Sequence, residues 1–161
     1  ILLKEVGIKI PVKPVKGYSL TYNTAGIKDT PKFSVIDESI HIAITPYVNR
    51  IRVAGTAEFV GFDDVIHPKR VNYLNAKLHE VYPSLFSKVQ DDEDAEMWFG
   101  FRPMSADGLP FIGQSKIEGL YLNTGHGHLG WTLAMGSADL LANQMVGDDS
   151  PIDNTPYQAN R

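Results

Sequence analysis

The chain has 161 residues, 43% of them hydrophobic and 21% charged, the composition of a folded globular protein with apolar material for one domain or two small ones. A formal net charge of −4 leaves no basic field to neutralise phosphates, which sets nucleic acid aside as a partner. No run approaches the roughly 18 to 20 apolar residues of a membrane-spanning helix, and the absence of cysteine removes disulfides, thiolate nucleophiles and cysteine-held metals.

Residues 1–7 read as the end of an amphipathic helix that begins upstream, so a longer parent polypeptide is expected. Residues 8–22 alternate, with Tyr18, Leu20 and Tyr22 on one face, as a half-buried strand does. Residues 23–32 gather Asn, Gly, Asp and Pro, a turn composition. Residues 33–37 and 40–45 follow as short apolar runs around Asp37, Glu38 and Ser39 and pair most simply as a meander. Residues 48–61 carry Ile51, Val53 and Phe59 in a strand context, with Gly55 and Gly61 marking a bulge or a close backbone approach. The short connections favour antiparallel pairing, because a parallel crossover needs a dozen or more residues.

The period then changes. Val71, Leu74, Leu78 and Val81 recur at three and four, Pro68 suits a first helical turn and Pro83 ends the run, which predicts an amphipathic helix over the sheet at 68–82. The acidic residues Asp91, Asp92, Glu93 and Asp94 read as a solvated loop, since contiguous carboxylates do not all converge on one ion. Residues 98–103 and 120–124 read as strands, and 129–145 as a helix burying Leu133, Leu140, Leu141 and Met145. The tail after Gly147, rich in Asp, Asn and Pro, reads as loose. The fold class is therefore α+β: a mostly antiparallel sheet covered by an amphipathic helix, plus a C-terminal strand, glycine loop and helix. The expected domains are 1–97 and 98–161.

Gly125-His126-Gly127-His128-Leu129-Gly130 spells G-x-G-x-x-G between a strand and a helix. A Rossmann reading needs a second parallel strand after that helix and an acidic residue for the ribose. Here the helix runs into Gly147-Asp148-Asp149-Ser150-Pro151 with no further strand, so the dinucleotide reading fails on context. The element keeps its physics: glycines admit close backbone approach, and a helix N-terminus presents free N–H groups and positive potential. A cofactor ring that becomes anionic on reduction would suit it, and a plain glycine-rich turn stays open on these residues alone. His126 and His128 form an H-x-H pair without a third ligand at diagnostic spacing, so no metal is expected.

Two segments together resemble the D-amino acid oxidase superfamily of flavoproteins. The first runs Gly100-Phe101-Arg102-Pro103-Met104-Ser105-Ala106-Asp107-Gly108-Leu109-Pro110-Phe111-Ile112-Gly113, and the second runs from Leu120 through the GHG loop to Thr132. Within that superfamily, Pro14-Val15-Lys16-Gly17-Tyr18-Ser19-Leu20 and the stretch from Ala43 to Asp63 look most like the C-terminal half of bacterial D-amino acid dehydrogenases. The resemblance implies a substrate-binding sheet plus a flavin-facing C-terminal segment of an FAD-binding domain. Family members hold the ADP part of FAD with an N-terminal Rossmann fingerprint. None stands in these 161 residues, so this piece is not expected to retain FAD by itself.

The same resemblance implies roles. Arg102, the arginine of G-x-R-P, would bind the substrate carboxylate, for which a planar guanidinium is suited. The backbone of Gly127, His128, Leu129 and Gly130, with the hydroxyl of Thr132, would face the pyrimidine side of the flavin. The His128 carbonyl would face the substrate amine, although family oxidases often have Gly at that position. No side-chain acid or base is implied. Oxidative deamination of a D-amino acid would proceed by hydride transfer from Cα to FAD, and a carrier such as a quinone would accept the electrons. A cytoplasmic location is expected, with peripheral attachment at the inner face of the cytoplasmic membrane left open. The alternatives are a glycine- or sarcosine-type amine oxidase and a non-catalytic amino-acid-binding module. Tyr18, Tyr22, Tyr47 and Tyr121 read as packing residues before pocket residues, and His41, His67 and His79 have no partner visible in the sequence.

Overall fold

The computed structural model of the protein describes residues 2–86, 95–150 and 152–161, so the acidic cluster at 91–94 lies outside them. In chain order the elements are α1 (Leu2–Glu5), β1 (Val12–Asn23), β2 (Val35–Asp37), β3 (Ile42–Tyr47), β4 (Arg50–Glu58), α2 (Pro68–Val81), α3 (Pro83–Phe86), β5 (Glu96–Ser105), β6 (Phe111–Gln114), β7 (Tyr121–Thr124) and α4 (Gly130–Val146). A 3₁₀ turn at Gly127–Leu129 leads into α4, and another lies at Thr155–Tyr157. No described helix is long and apolar enough to cross a membrane. The chain divides into two compact units, one of residues 15–101 and the other of residues 1–14 and 102–161.

The unit of residues 15–101 is built on a sheet in the order β2-β3-β4-β1-β5. The meander is β2-β3-β4, with Val35 opposite Ile44 and Ile44 opposite Val53, and β1 pairs antiparallel with β4, Leu20 opposite Val53. Alternation sends Tyr18, Leu20 and Tyr22 of β1, Ile42 and Ile44 of β3, and Ile51 and Val53 of β4 into one core, which Leu74 and Leu78 of α2 complete. Each such buried side chain stabilises the fold by about 1.5–3 kcal/mol relative to exposure. Gly55 is the close approach that its sequence context suggests: a Cβ there would stand 2.7 Å from the carbonyl oxygen of His41 and 2.9 Å from Cγ2 of Ile42. The bulge adjoins Gly55 on β4: Lys16 and Tyr18 of β1, two residues apart, face Glu58 and Gly55, three apart, whereas Gly61 is outside any strand. Both core tyrosines are satisfied, Tyr18 donating to Glu58 Oε2 at 2.6 Å and Tyr22 to Asn75 Oδ1 at 2.7 Å, so they are packing residues with a polar tether.

In the other unit, β6 and β7 form an antiparallel pair, Phe111 opposite Thr124 and Gly113 opposite Leu122. β6 covers the end of the Gly100–Gly113 motif and extends it by Gln114, a strand that the local pattern does not announce. α4 packs on this pair and ends at Gly147, whose φ of +82° lets its N–H and that of Asp148 both return to the carbonyl of Asn143 at 3.0 Å. The expected buried face of α4 needs correction. Leu140 is buried, but Leu133 is 38% and Met145 55% exposed, while Trp131 is 96% and Met135 81% exposed. Apolar residues surround this helix, so periodicity selects no single face, and β6 and β7 cover only a stripe. The expectation of a loose tail is also corrected: Ala159 is buried, and Arg161 is hydrogen-bonded back to residues 107–110.

Candidate functional site

Arg102 lies in β5 two residues before Met104, so the two side chains share a strand face. It is half-buried, and burial pushes its guanidinium below its ordinary value, from a starting point so high that the charge is retained. Met104 forms an antiparallel bridge with His126. The strand that carries Arg102 therefore meets the glycine loop two residues past Arg102, just before the chain turns into the 3₁₀ helix.

Each glycine of the GHG segment has a local reason. Gly125 has φ +87°, and a Cβ on it would stand 3.3 Å from the Phe111 ring and 3.4 Å from Val12 Cγ2. Gly127 has φ +57°, and a Cβ there would meet the Met104 sulfur at 2.6 Å. Gly130, at φ −55°, would meet only the Cβ of His126 at an ordinary 3.7 Å, so nothing among the described residues requires glycine at that position.

The chain then tightens into the 3₁₀ turn, with the Leu129 N–H donating to the His126 carbonyl at 3.1 Å, and enters α4. Neither His126 nor Leu129 caps its helix through a side chain, and the first turn of α4 holds no acidic residue. The start of α4 thus carries no side-chain cap, and the loop leading into it bridges to the strand carrying Arg102. His128, Leu129 and Thr132 are exposed, whereas Nε2 of His126 is buried without a hydrogen-bond partner among the described residues, and burial pushes that imidazole towards its neutral form. Sequence reasoning singled out Arg102 and the loop but missed Met104, which joins them. The available signal was its i+2 spacing from Arg102.

Residues 15–101 hold a separate cluster of charges. Lys16 is fully buried, with its ammonium 3.5 Å from Asp63 Oδ2, hydrogen-bonded to the Val65 carbonyl and 4.5 Å from the centre of the Phe99 ring. His67 lies 2.8 Å from Asp63 Oδ2 and 3.5 Å from Glu58 Oε1, which corrects the reading of it as partnerless. Desolvation pushes the Glu58 carboxyl up, but hydrogen bonds from Arg70 at 2.7 Å and from Tyr18 outweigh it and bring it down to about 2. Burial pushes the Tyr18 phenol up. These groups satisfy one another and read as structural.

An open depression of about 400 Å³, lined in part by Gly113, Tyr121, Gln144 and Asn160, lies at the far end of α4. Neither Arg102 nor any of residues 125–132 lines it, so the depression is no part of the Arg102 site.

A family model described as FAD dependent oxidoreductase matches residues 1–144. A protein named D-amino acid dehydrogenase from Vibrio atlanticus is 45% identical over 160 residues, 99% of this chain and 37% of its own length. Its namesake from Vibrio vulnificus is 48% identical over 149 residues, 92% of this chain and 35% of that protein. The chain therefore spans little more than a third of these curated relatives. Among solved structures, glycine oxidase from Geobacillus kaustophilus aligns with a TM-score of 0.85 at 23% identity, covering 99% of this chain and 42% of that one, a likeness that concerns the fold alone.

Proposed function

We propose, from the premise that the chain belongs to the FAD dependent oxidoreductase family, that it carries the carboxylate-binding arm and flavin-facing loop of an enzyme oxidising D-amino acids. The observation that carries this reading is the Met104–His126 bridge, with the Met104 sulfur against Gly127, which brings the strand of Arg102 to the uncapped start of α4. The relatives named D-amino acid dehydrogenase support the choice of substrate class.

The residues fit the cofactor that the family name implies. An uncapped helix N-terminus without a first-turn carboxylate, beside a buried imidazole nitrogen lacking a partner, suits a group with an electron-rich, hydrogen-bonding edge. Gly127, His128, Leu129 and Gly130 would hold it through their backbone and Thr132 through its hydroxyl. When bound, FAD supplies the two-electron acceptor that no side chain provides. Its retention is proposed for the intact protein and not for this chain alone.

Arg102 binds both oxygens of the substrate carboxylate in a fork. The His128 carbonyl accepts a hydrogen bond from the neutral substrate amine. A substrate held at both ends has its Cα fixed in place, so positioning replaces acid–base catalysis by a side chain. A quinone-type carrier is the proposed electron acceptor.

The test uses the intact protein, assayed with D-alanine, glycine and sarcosine in the presence of oxygen or a soluble quinone. D-Alanine with the quinone is expected to be the productive pair. Arg102→Met is expected to raise KM for D-alanine roughly a hundredfold or more, because one partner of a charged hydrogen-bonded pair is lost. Arg102→Lys should fall between, since an ammonium cannot fork. An unchanged KM in Arg102→Met would remove the carboxylate role, and turnover of glycine or sarcosine without D-alanine would move the enzyme to the amine oxidases.

A further inference from the structure

The last residue of the sequence is tied into the unit that holds the candidate site. All five N–H donors of the Arg161 guanidinium have acceptors. Nε reaches Asp107 Oδ2 at 3.1 Å, and Nη2 reaches Asp107 Oδ1 at 3.1 Å and the Leu109 carbonyl at 2.7 Å. Nη1 reaches the Pro110 carbonyl at 2.8 Å and the Gln158 carbonyl at 3.4 Å. The face of the guanidinium lies 3.9 Å from the centre of the Phe111 ring, and the side chain is only 18% exposed. A single cation thus fixes four of the five residues from 107 to 111.

That segment joins the two parts of the site. Asp107 is five residues past Arg102, and Phe111 opens β6. The Phe111 ring is buried and lies where a side chain on Gly125 would have to go, and Gly125 is followed by His126, whose backbone bridges to Met104. Arg161 therefore holds the end of the Arg102 strand through the Asp107 carboxylate and the floor of the glycine loop through Phe111. A bidentate pair with two further carbonyl acceptors has the fixed geometry that a surface ion pair usually lacks.

We infer that Arg161 is a positioning residue for the glycine loop, a strap that sets residues 125–130 against the strand of Arg102. The inference rests on the proposed function for its catalytic meaning but not for its structural content, and the test separates the two.

Amide hydrogen exchange and D-alanine kinetics are measured on the intact, FAD-loaded protein and on its Arg161→Ala, Arg161→Lys and Asp107→Asn variants. Arg161→Ala is expected to speed exchange at residues 125–130 about tenfold while leaving residues 42–58 unchanged. KM should rise, kcat should change less, and the visible absorption of the flavin should shift. Arg161→Lys and Asp107→Asn should each give a smaller acceleration confined to the same residues, and they carry the test if Arg161→Ala does not accumulate. Unaltered exchange at 125–130, or acceleration spread evenly over the molecule, would overturn the strap. If exchange responds as expected but D-amino acids are not oxidised, the proposed function fails and the strap stands. If oxidation and the Arg102 variants behave as expected while 125–130 exchange as before, the strap alone fails.

Discussion

The two units differ in how their cores and polar groups are arranged. In residues 15–101 nine core side chains from β1, β3, β4 and α2 meet in one cluster and the charged groups beside it are paired with one another, while Phe33, Val48 and Phe59 stay exposed. The unit of residues 1–14 and 102–161 leaves the large side chains of Trp131 and Met135 on α4 almost fully exposed, and its helix start is uncapped. The residues assigned to chemistry fall in this second unit. A region that must receive other groups keeps hydrogen-bond donors available, whereas charges that pair with one another serve the fold.

Substitutions can break this contrast, and the largest effect is expected in the self-sufficient unit. Leu78 is fully buried under the sheet, and Leu78→Ala is expected to cost about 2–5 kcal/mol in urea unfolding. Glu58→Gln comes next, at about 1–3 kcal/mol near neutral pH, because hydrogen bonds from Arg70 and Tyr18 lose a charged acceptor. This variant also tests a pH dependence. Glu58 has a folded-state value of about 2 against an ordinary 4.5, so its stabilisation is present above pH 4.5 and is lost as pH falls towards 2. Urea midpoints of the parent should decline across that window, and Glu58→Gln should flatten the decline. Smallest is Trp131→Ser, expected to change stability by about 0.5 kcal/mol or less because the ring is 96% exposed. It should lower the binding of a hydrophobic dye, and a loss of stability comparable to that of Leu78→Ala would erase the distinction between the units.

What the sequence revealed follows the same division. In residues 15–101 the period-two runs and the three-four spacing of Val71, Leu74, Leu78 and Val81 are local signals, and the strands and α2 appear where those signals stand. Arg102 and the glycine loop stand out through their motifs, and the bridge between Met104 and His126 is visible only in the fold. What escaped depends on distant partners. β6 is four residues long, beside Pro110 and containing Gly113, and is defined by its pairing with β7. His67 reads as solitary until the fold brings Glu58 and Asp63 to it. Arg161 looks like the end of a polar tail because its carboxylate partner is 54 positions away.

Lys16 has one more consequence. An ammonium enclosed by Asp63, the Val65 carbonyl and the Phe99 ring is shielded from acylating reagents for as long as the start of β1 stays closed against β4. Its modification would proceed at the rate at which the sheet opens, so a single amine becomes a chemical clock for breathing of the scaffold, readable by mass without any probe being added to the protein.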